Sequence, residues 1–193
     1  MFEIPTSIEI SGQSLHIRRD GDYRMVLDCF SFLQDLELTK QERLLGCLLN
    51  FYDDFDNVID ILRINDIEPY VSQMFWFFDC GEDTSIKGPT SDHKLVNWEQ
   101  DSQLIAAAVN KVAGKEIRFE PYIHWWTFMG YYTSIEEGLF STIVSIRDKI
   151  IDNKKLEKYE REFRMKNPRY FIWDSQSLEQ KEAEDAIRKL WHR

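Results

Sequence analysis

The stretch Tyr122-Ile-His-Trp-Trp-Thr-Phe-Met-Gly-Tyr-Tyr132 constrains the fold more than any other part of this sequence. Tyr122, Trp125, Trp126, Met129 and Tyr132 recur at the i, i+3, i+4, i+7 spacing of one helical face. Ile123, Phe128 and Tyr131 make the other side apolar as well. A helix that is apolar all round is buried on several sides or spans a membrane. The run is far shorter than the roughly 20 residues a span requires, so it predicts a central core helix, starting from about Glu120. Its least bulky stripe is Thr127, Gly130 and Ser134. Small side chains there are expected to admit a neighbouring backbone, which would offset the ~1 kcal/mol that a mid-helix glycine costs relative to alanine.

The remaining patterns are also mostly helical. Ile8-Glu-Ile10 and Leu15-His-Ile17 alternate apolar and polar around Ser11-Gly-Gln-Ser14, which predicts an N-terminal β-hairpin. A lone hairpin is marginal in water and must lie on the helices. Asp20-Gly-Asp22 starts a helix with Tyr23, Val26, Leu27, Phe30 and Leu33 inward. Thr39 and Glu42 form a capping box ahead of Leu44, Leu45, Leu48, Leu49 and Tyr52. Asn57 to Arg63 reads as a short helical turn. Pro69 suits the first turn of a helix that buries Val71, Met74, Phe75 and Phe78 and ends at Cys80-Gly81. Glu82 to Lys94 is polar, carries Gly88-Pro89 and reads as a long loop.

Beyond that loop, Asn97 with Gln100 marks a start, Leu104, Ile105, Ala108, Val109 and Val112 an inner stripe, and Gly114 a stop. Thr133 and Glu136 predict a capping box for a helix turning Leu139, Phe140, Ile143, Ile146 and Ile150 to the core. Asn153 to Lys166 is expected to continue as a charged helix that Asn167-Pro168 breaks. Ser177 and Gln180 open a last helix with a narrow apolar face of Ala183, Ala186, Ile187, Leu190 and Trp191. The fold class expected is mainly α: a helical domain with a small N-terminal β-hairpin over residues 1–166, and a C-terminal helical extension over 167–193.

Net charge is −10, which disfavours a general role on nucleic acid or anionic membranes. The charge is uneven. Phe51 to Thr84 holds nine acids against Arg63 alone, whereas Arg147 to Arg169 holds nine bases against five acids. Opposed patches of this kind can steer a partner or a second copy of the chain. The three cysteines, Cys29, Cys47 and Cys80, lack C-x-x-C spacing and read as free thiols of a reducing compartment. Met-Phe-Glu-Ile-Pro is no secretory signal, so a cytoplasmic location is expected.

Catalytic constellations fail on spacing. Counted from Asp54, a calcium loop would put Val58 at its fifth position and Ile59 where glycine belongs; counted from Asp53, Phe55 falls at the third. His16, His93, His124 and His192 never pair as H-x-x-x-H. His124, beside Trp125, is expected to be a buried histidine bonded to a carbonyl or carboxylate. No nucleophile elbow, P-loop or dinucleotide fingerprint occurs. Lys154-Lys155 and the bases after them are interleaved with Glu157, Glu160 and Glu162, and look like i, i+4 pairs such as Glu157 with Arg161 and Glu160 with Arg164. No enzyme activity and no cofactor is expected.

Asn97-Trp-Glu-Gln-Asp101, Leu104-Ile105 with its alanines, His124-Trp125-Trp126-Thr-Phe128 and, about twenty residues later, Ile146-Arg147 occur in an order that resembles the tail assembly chaperones of long-tailed phages. The resemblance covers roughly Phe2 to Phe163. It implies a non-enzymatic protein of the host cytoplasm that coats the helical, apolar tape-measure protein until tail tube protein replaces it. The expected partners are therefore the tape-measure and tail tube proteins, with self-association possible and with no nucleic acid and no membrane. A structural tail-completion or connector component is the alternative. Partner-binding candidates are Tyr170, Trp173, Ile187, Leu190 and Trp191, on a tail that Pro168 separates from the body. Buried tryptophans are frequent anchors of such contacts.

Overall fold

A computed structural model describes residues 3–53, 67–82, 95–172 and 186–187. The expected turn at Asn57 to Arg63, nearly all of the Glu82–Lys94 loop, the Ser177–Gln180 cap and most of the last helix lie outside these residues. The described chain is mainly α, with seven helices and a two-stranded antiparallel hairpin. It forms two compact units. The first comprises the described residues of Met1–Gly88, Tyr122–Met129 and Glu179–Arg193, and the second those of Pro89–Pro121 and Gly130–Leu178.

In the first unit β1 (Ser7–Ile10) pairs with β2 (Gln13–His16), Ile8 opposite Leu15. Ser11 and Gly12 form a two-residue turn with φ of 52° and 81°. Positive φ at both positions matches the right-handed twist of the strands. Ile8, Ile10, Leu15 and Ile17 are all buried, as their alternation requires. Helices α1 (Tyr23–Gln34) and α2 (Lys40–Phe51) pack on each other, and α3 (Glu68–Phe78) packs against β1 and α2. Asp22 caps α1 by accepting from the Arg24 amide at 3.0 Å. The Thr39–Glu42 capping box at α2 is complete, with the Thr39 amide donating to Glu42 Oε2 at 2.8 Å and the Glu42 amide to Thr39 Oγ1 at 3.3 Å.

The centre of this unit is aromatic. Phe51 stands edge-on to Tyr52, Phe77 and Phe78, and Phe30 edge-on to Phe78 and Trp125. Gly21 marks the tightest approach. A β-carbon there would lie 2.6 Å from Phe77 Cζ and 3.0 Å from His124 Nε2, and its φ is +77°.

In the second unit α4 (Ser102–Ala113) is followed by Gly114 and by a 3-10 turn at Ile117–Phe119. Asn97 caps the turn before α4 rather than α4 itself: its Oδ1 accepts from the Glu99 and Gln100 amides, each at 2.9 Å. Helix α6 (Leu139–Ile151) buries Phe140, Ile143 and Ile146, and α7 (Lys158–Lys166) follows. The charged helix therefore begins later than Asn153, which takes a left-handed φ of 53°. Glu160 accepts from the Glu157 amide at 2.8 Å and from Lys149 Nζ at 2.6 Å, in place of the expected Arg164.

Helix α5 (Trp125–Thr133) starts in the first unit and finishes in the second. Three expectations fail around it. Tyr122 lies before the helix and is 44% exposed, because Ile123 bonds sideways to the start of α1 through Tyr23 N to Ile123 O at 2.9 Å and Ile123 N to Asp22 Oδ2 at 3.0 Å. The Thr133–Glu136 capping box does not form. Thr133 Oγ1 and Ser134 Oγ instead donate back to the Gly130 carbonyl at 3.3 and 2.7 Å, and α6 starts after Gly138.

No neighbour enters the small-residue stripe at Gly130 either. Gly130 is exposed, and a β-carbon there would touch nothing within 4 Å. Gly130→Ala is therefore expected to stabilise the protein by about 0.5–1 kcal/mol, the usual helix-interior difference. A lowered midpoint of urea unfolding in that variant would contradict it.

Candidate functional site

Two buried polar knots hold the sequence motifs in place. In the second unit Asp101 and Arg147 are each 2% exposed and pair through both oxygens. Arg147 Nη1 donates to Asp101 Oδ2 at 2.7 Å and Nη2 to Oδ1 at 2.9 Å. The same guanidinium donates to the Leu95 and Tyr170 carbonyls, both at 2.9 Å, and Asp101 Oδ2 accepts the Asn97 amide at 3.0 Å. Arginine suits this role because its planar fork meets a carboxylate bidentately and stays charged when buried. The knot ties the segment before α4, helix α6 and the residues after α7 together. Beside it, burial and then the Asp101 charge push the Tyr132 hydroxyl up to about 12.

In the first unit His124 is buried beside Pro5 and α5. Its Nε2 donates to the Pro5 carbonyl at 3.0 Å, and its Nδ1 accepts the Trp126 amide at 3.1 Å. The imidazole thus serves as the N-cap of α5, and only the neutral ring can do so. Desolvation holds its pKa below the ordinary value, against an opposing pull from the Pro5 bond and from Asp20 and Asp22. Above about pH 6.5 the ring is neutral both folded and unfolded, and its contribution is fully present. As pH falls below that value the unfolded chain takes up the proton first, so stability declines towards the depressed folded pKa. Melting temperature measured between pH 7.5 and 5.5 should fall more steeply for wild type than for His124→Asn, whose amide keeps a cap acceptor without titrating. Equal slopes would contradict this role.

Both ring nitrogens of His124 and both carboxylate oxygens of Asp101 are taken up by these bonds. Cys29 and Cys47 are buried, and burial, with Glu82 and Asp79 adding to it, pushes the Cys80 thiol up to about 11. Among the described residues no three His, Cys, Asp or Glu side chains gather as metal ligands, and no helix is long and apolar enough to cross a membrane. Asp53 sits 3.8 Å from Arg18, and the rest of the acidic run through Asp66 lies outside the described residues.

What the second unit does offer is an apolar groove. Helix α4 forms one wall with Leu104, Ala107 and Ala108, and the Ser134–Gly138 connection with Leu139 and Phe140 forms the other, enclosing about 310 Å³. Val112 and Leu139, expected to face the core, are 38% and 48% exposed and line this groove instead. Leu139 is the first residue of its helix, so no preceding turn covers it. Lys111 braces the connection by donating to the Glu137 carbonyl at 3.1 Å.

The candidates on the tail are not brought together among the described residues. Tyr170 is half-buried, with its carbonyl held by Arg147 and its hydroxyl accepting from Arg169 Nη2 at 2.7 Å. Ile187 is fully buried in the first unit, so its side chain is not presented to solvent. Trp173, Leu190 and Trp191 lie outside the described residues. The groove and the Asp101–Arg147 pair were not read from the sequence, although both residues of the pair stood in the quoted motifs.

The model of the family described as Bacteriophage Gp15 protein matches residues 2–171. The chain belongs to that family. The match spans both polar knots and both walls of the groove, so these are features of the Gp15 portion, while residues 172–193 lie beyond it. Neither the curated proteins nor the solved structures contain a match.

Proposed function

We propose that this bacteriophage Gp15 protein is a non-enzymatic tail assembly chaperone, binding the helical tape-measure protein in the host cytoplasm and keeping it soluble until tail tube protein replaces it. The observation that carries the reading is the groove between α4 and the Ser134–Gly138 connection. An amphipathic helix lays its apolar face into such a groove, with anchors at i, i+3, i+4 and i+7. Ala107 and Ala108 keep the α4 wall low, which lets a visiting backbone approach. Glu136 and Glu137 at the rim select against acidic flanks on the client. One groove of this size gives modest affinity. Many copies along one long client supply the rest by multivalency, and modest single contacts permit release when the tube assembles.

The test is aggregation of tape-measure fragments, followed by light scattering with and without the protein. Wild type is expected to suppress it, and Ala107→Trp, which fills the groove from an exposed position, to lose that effect while melting normally. Equal suppression by the two would remove the groove from the proposal. Mass spectrometry of purified virions separates the reading from its rival, because a chaperone is absent from the particle whereas a tail-completion or connector component remains in it.

A further inference from the structure

The charged sequence of α7 is sorted by side in the folded chain. Glu160 turns inward, 2% exposed, where it accepts from Lys149 Nζ at 2.6 Å and from the Glu157 amide at 2.8 Å. Phe163 is half-buried, edge-on to Phe171 at 6.1 Å. The outward side then holds Lys158, Arg161, Arg164 and Lys166 against Glu162, with Tyr159 and Met165 64% and 79% exposed among them. None of those four bases makes a side-chain hydrogen bond or an ion pair among the described residues, the expected Glu157–Arg161 pair included. With Glu160 taken off the surface, an alternating run of charge becomes a basic face with apolar side chains in it.

We infer that this face of α7 docks on the outward stripe of α1 in a second copy of the chain. Asp28, Ser31, Phe32 and Asp35 recur there at i, i+3, i+4 and i+7 and, with Asn50, line an open depression of about 380 Å³. Phe32 is 37% exposed, and no base stands in the lining. Among the described residues Asp28 makes no ion pair, and the Asp35 carboxylate accepts only the Glu37 amide, at 2.8 Å. Both surfaces are thus helix faces with an apolar side chain between uncommitted charges, and the charges are of opposite sign. Met165 against the Phe32 ring makes a favourable sulfur–aromatic contact. That contact brings the α7 cations onto the carboxylates flanking the ring. The wider field agrees. The described residues of the first unit hold twelve acids against five bases, which attracts a basic helix, while a net charge of −10 repels the phosphates of a nucleic acid. Exposed ion pairs contribute little singly and are screened by salt, so the contact is weak and salt-sensitive. Two different surfaces meet, so it is heterologous and adds copies in a row or a ring. It uses no residue of the apolar groove, and so goes beyond the proposed function while leaving the groove open to a client.

Sedimentation velocity of the full chain over a wide concentration range, at low and at high salt, tests this. Wild type should grow with concentration at low salt and much less at high salt. Arg161→Glu with Arg164→Glu should weaken association by roughly tenfold or more, because like charges then face each other. Asp28→Lys with Asp35→Lys should do the same from the other side. The chain carrying all four changes has the two signs exchanged and should associate again. Met165→Glu, at a 79% exposed position, replaces the α7 pair should that variant melt abnormally. A wild type that stays monomeric at low salt, a double variant that grows as wild type does, or a four-change chain that stays monomeric overturns the inference. So does salt-sensitive binding of a labelled single-stranded DNA by a monomeric wild type, which would make the α7 face a nucleic-acid surface. Ala107→Trp should associate as wild type does, so the groove and the α7 face are read out separately. A wild type that self-associates but never suppresses aggregation of tape-measure fragments would sink the chaperone reading alone.

Discussion

Arg147→Ala is expected to lower stability by about 3–5 kcal/mol, the usual cost of removing one partner from a buried ion pair. Most of that loss comes from leaving the Asp101 carboxyl, 2% exposed, without its cation and with only the Asn97 amide still bonded to it. The Leu95 and Tyr170 carbonyls lose their donor as well. Asp101→Ala should be comparably harmful, because it strands the guanidinium. The double change to Asp101→Leu and Arg147→Met should recover much of the loss, since replacing a whole buried pair by apolar residues is often neutral or better. Urea unfolding of the four proteins followed by circular dichroism checks this. Single-variant losses near zero, or a double-variant loss equal to their sum, would show that the pair is not the anchor of its unit. The result also bears on the proposed docking groove, because α4 and α6, which the pair helps to join, both wall it.

Trp125→Ala is expected to cost about 3–5 kcal/mol as well, the range for emptying a fully buried aromatic site. Its ring is 1% exposed, edge-on to Phe30 at 5.8 Å and stacked on Phe128 at 5.6 Å, and its indole N–H donates to the Phe78 carbonyl at 2.9 Å. The change leaves both a cavity and an orphaned carbonyl. Against a typical total of ~5–15 kcal/mol, this is enough to unfold a substantial fraction of the protein at working temperature. Trp126→Ala should be milder, because that ring is half-buried, although its N–H also donates to a backbone carbonyl, that of Phe77, at 2.9 Å. The comparison of the two adjacent tryptophans in one denaturation series is the check, and the reverse order of severity would contradict the packing described here.

Local chemistry accounts for what could be read in advance. The hairpin follows from two alternating triplets around Ser11-Gly12, and α2 from a Thr-x-x-Glu box whose bonds are all made within four residues. Where the deciding bond crosses the sequence, the reading fails. Tyr122 fits the helical stripe of α5 as well as Trp125 does, yet Ile123 is drawn into a bridge with the start of α1, about a hundred residues earlier. Thr133 and Glu136 have correct capping spacing, but the hydroxyls at 133 and 134 serve the helix before them. The groove escaped notice for a related reason. Val112 and Leu139 carry the period of buried residues, yet among the described residues no element covers them and that stripe is a surface. Asp101 and Arg147 stand 46 residues apart, and neither spacing nor composition couples them.

The passage of α5 from one unit into the other has a consequence for how the protein is made. The first unit draws on Met1–Gly88 and then on Tyr122–Met129, which supplies Trp125 to its aromatic centre. A chain leaving the ribosome therefore completes most of one unit, then must produce the entire stretch from Pro89 to Pro121, which belongs to the other, before the missing ring arrives. Domains commonly fold one after another in the order of synthesis. Here that order is interleaved, and the closing contacts of the first unit are long-range ones, which are slow to form. A nascent chain stalled at Pro121 would carry an unfilled apolar site until Trp125 arrives.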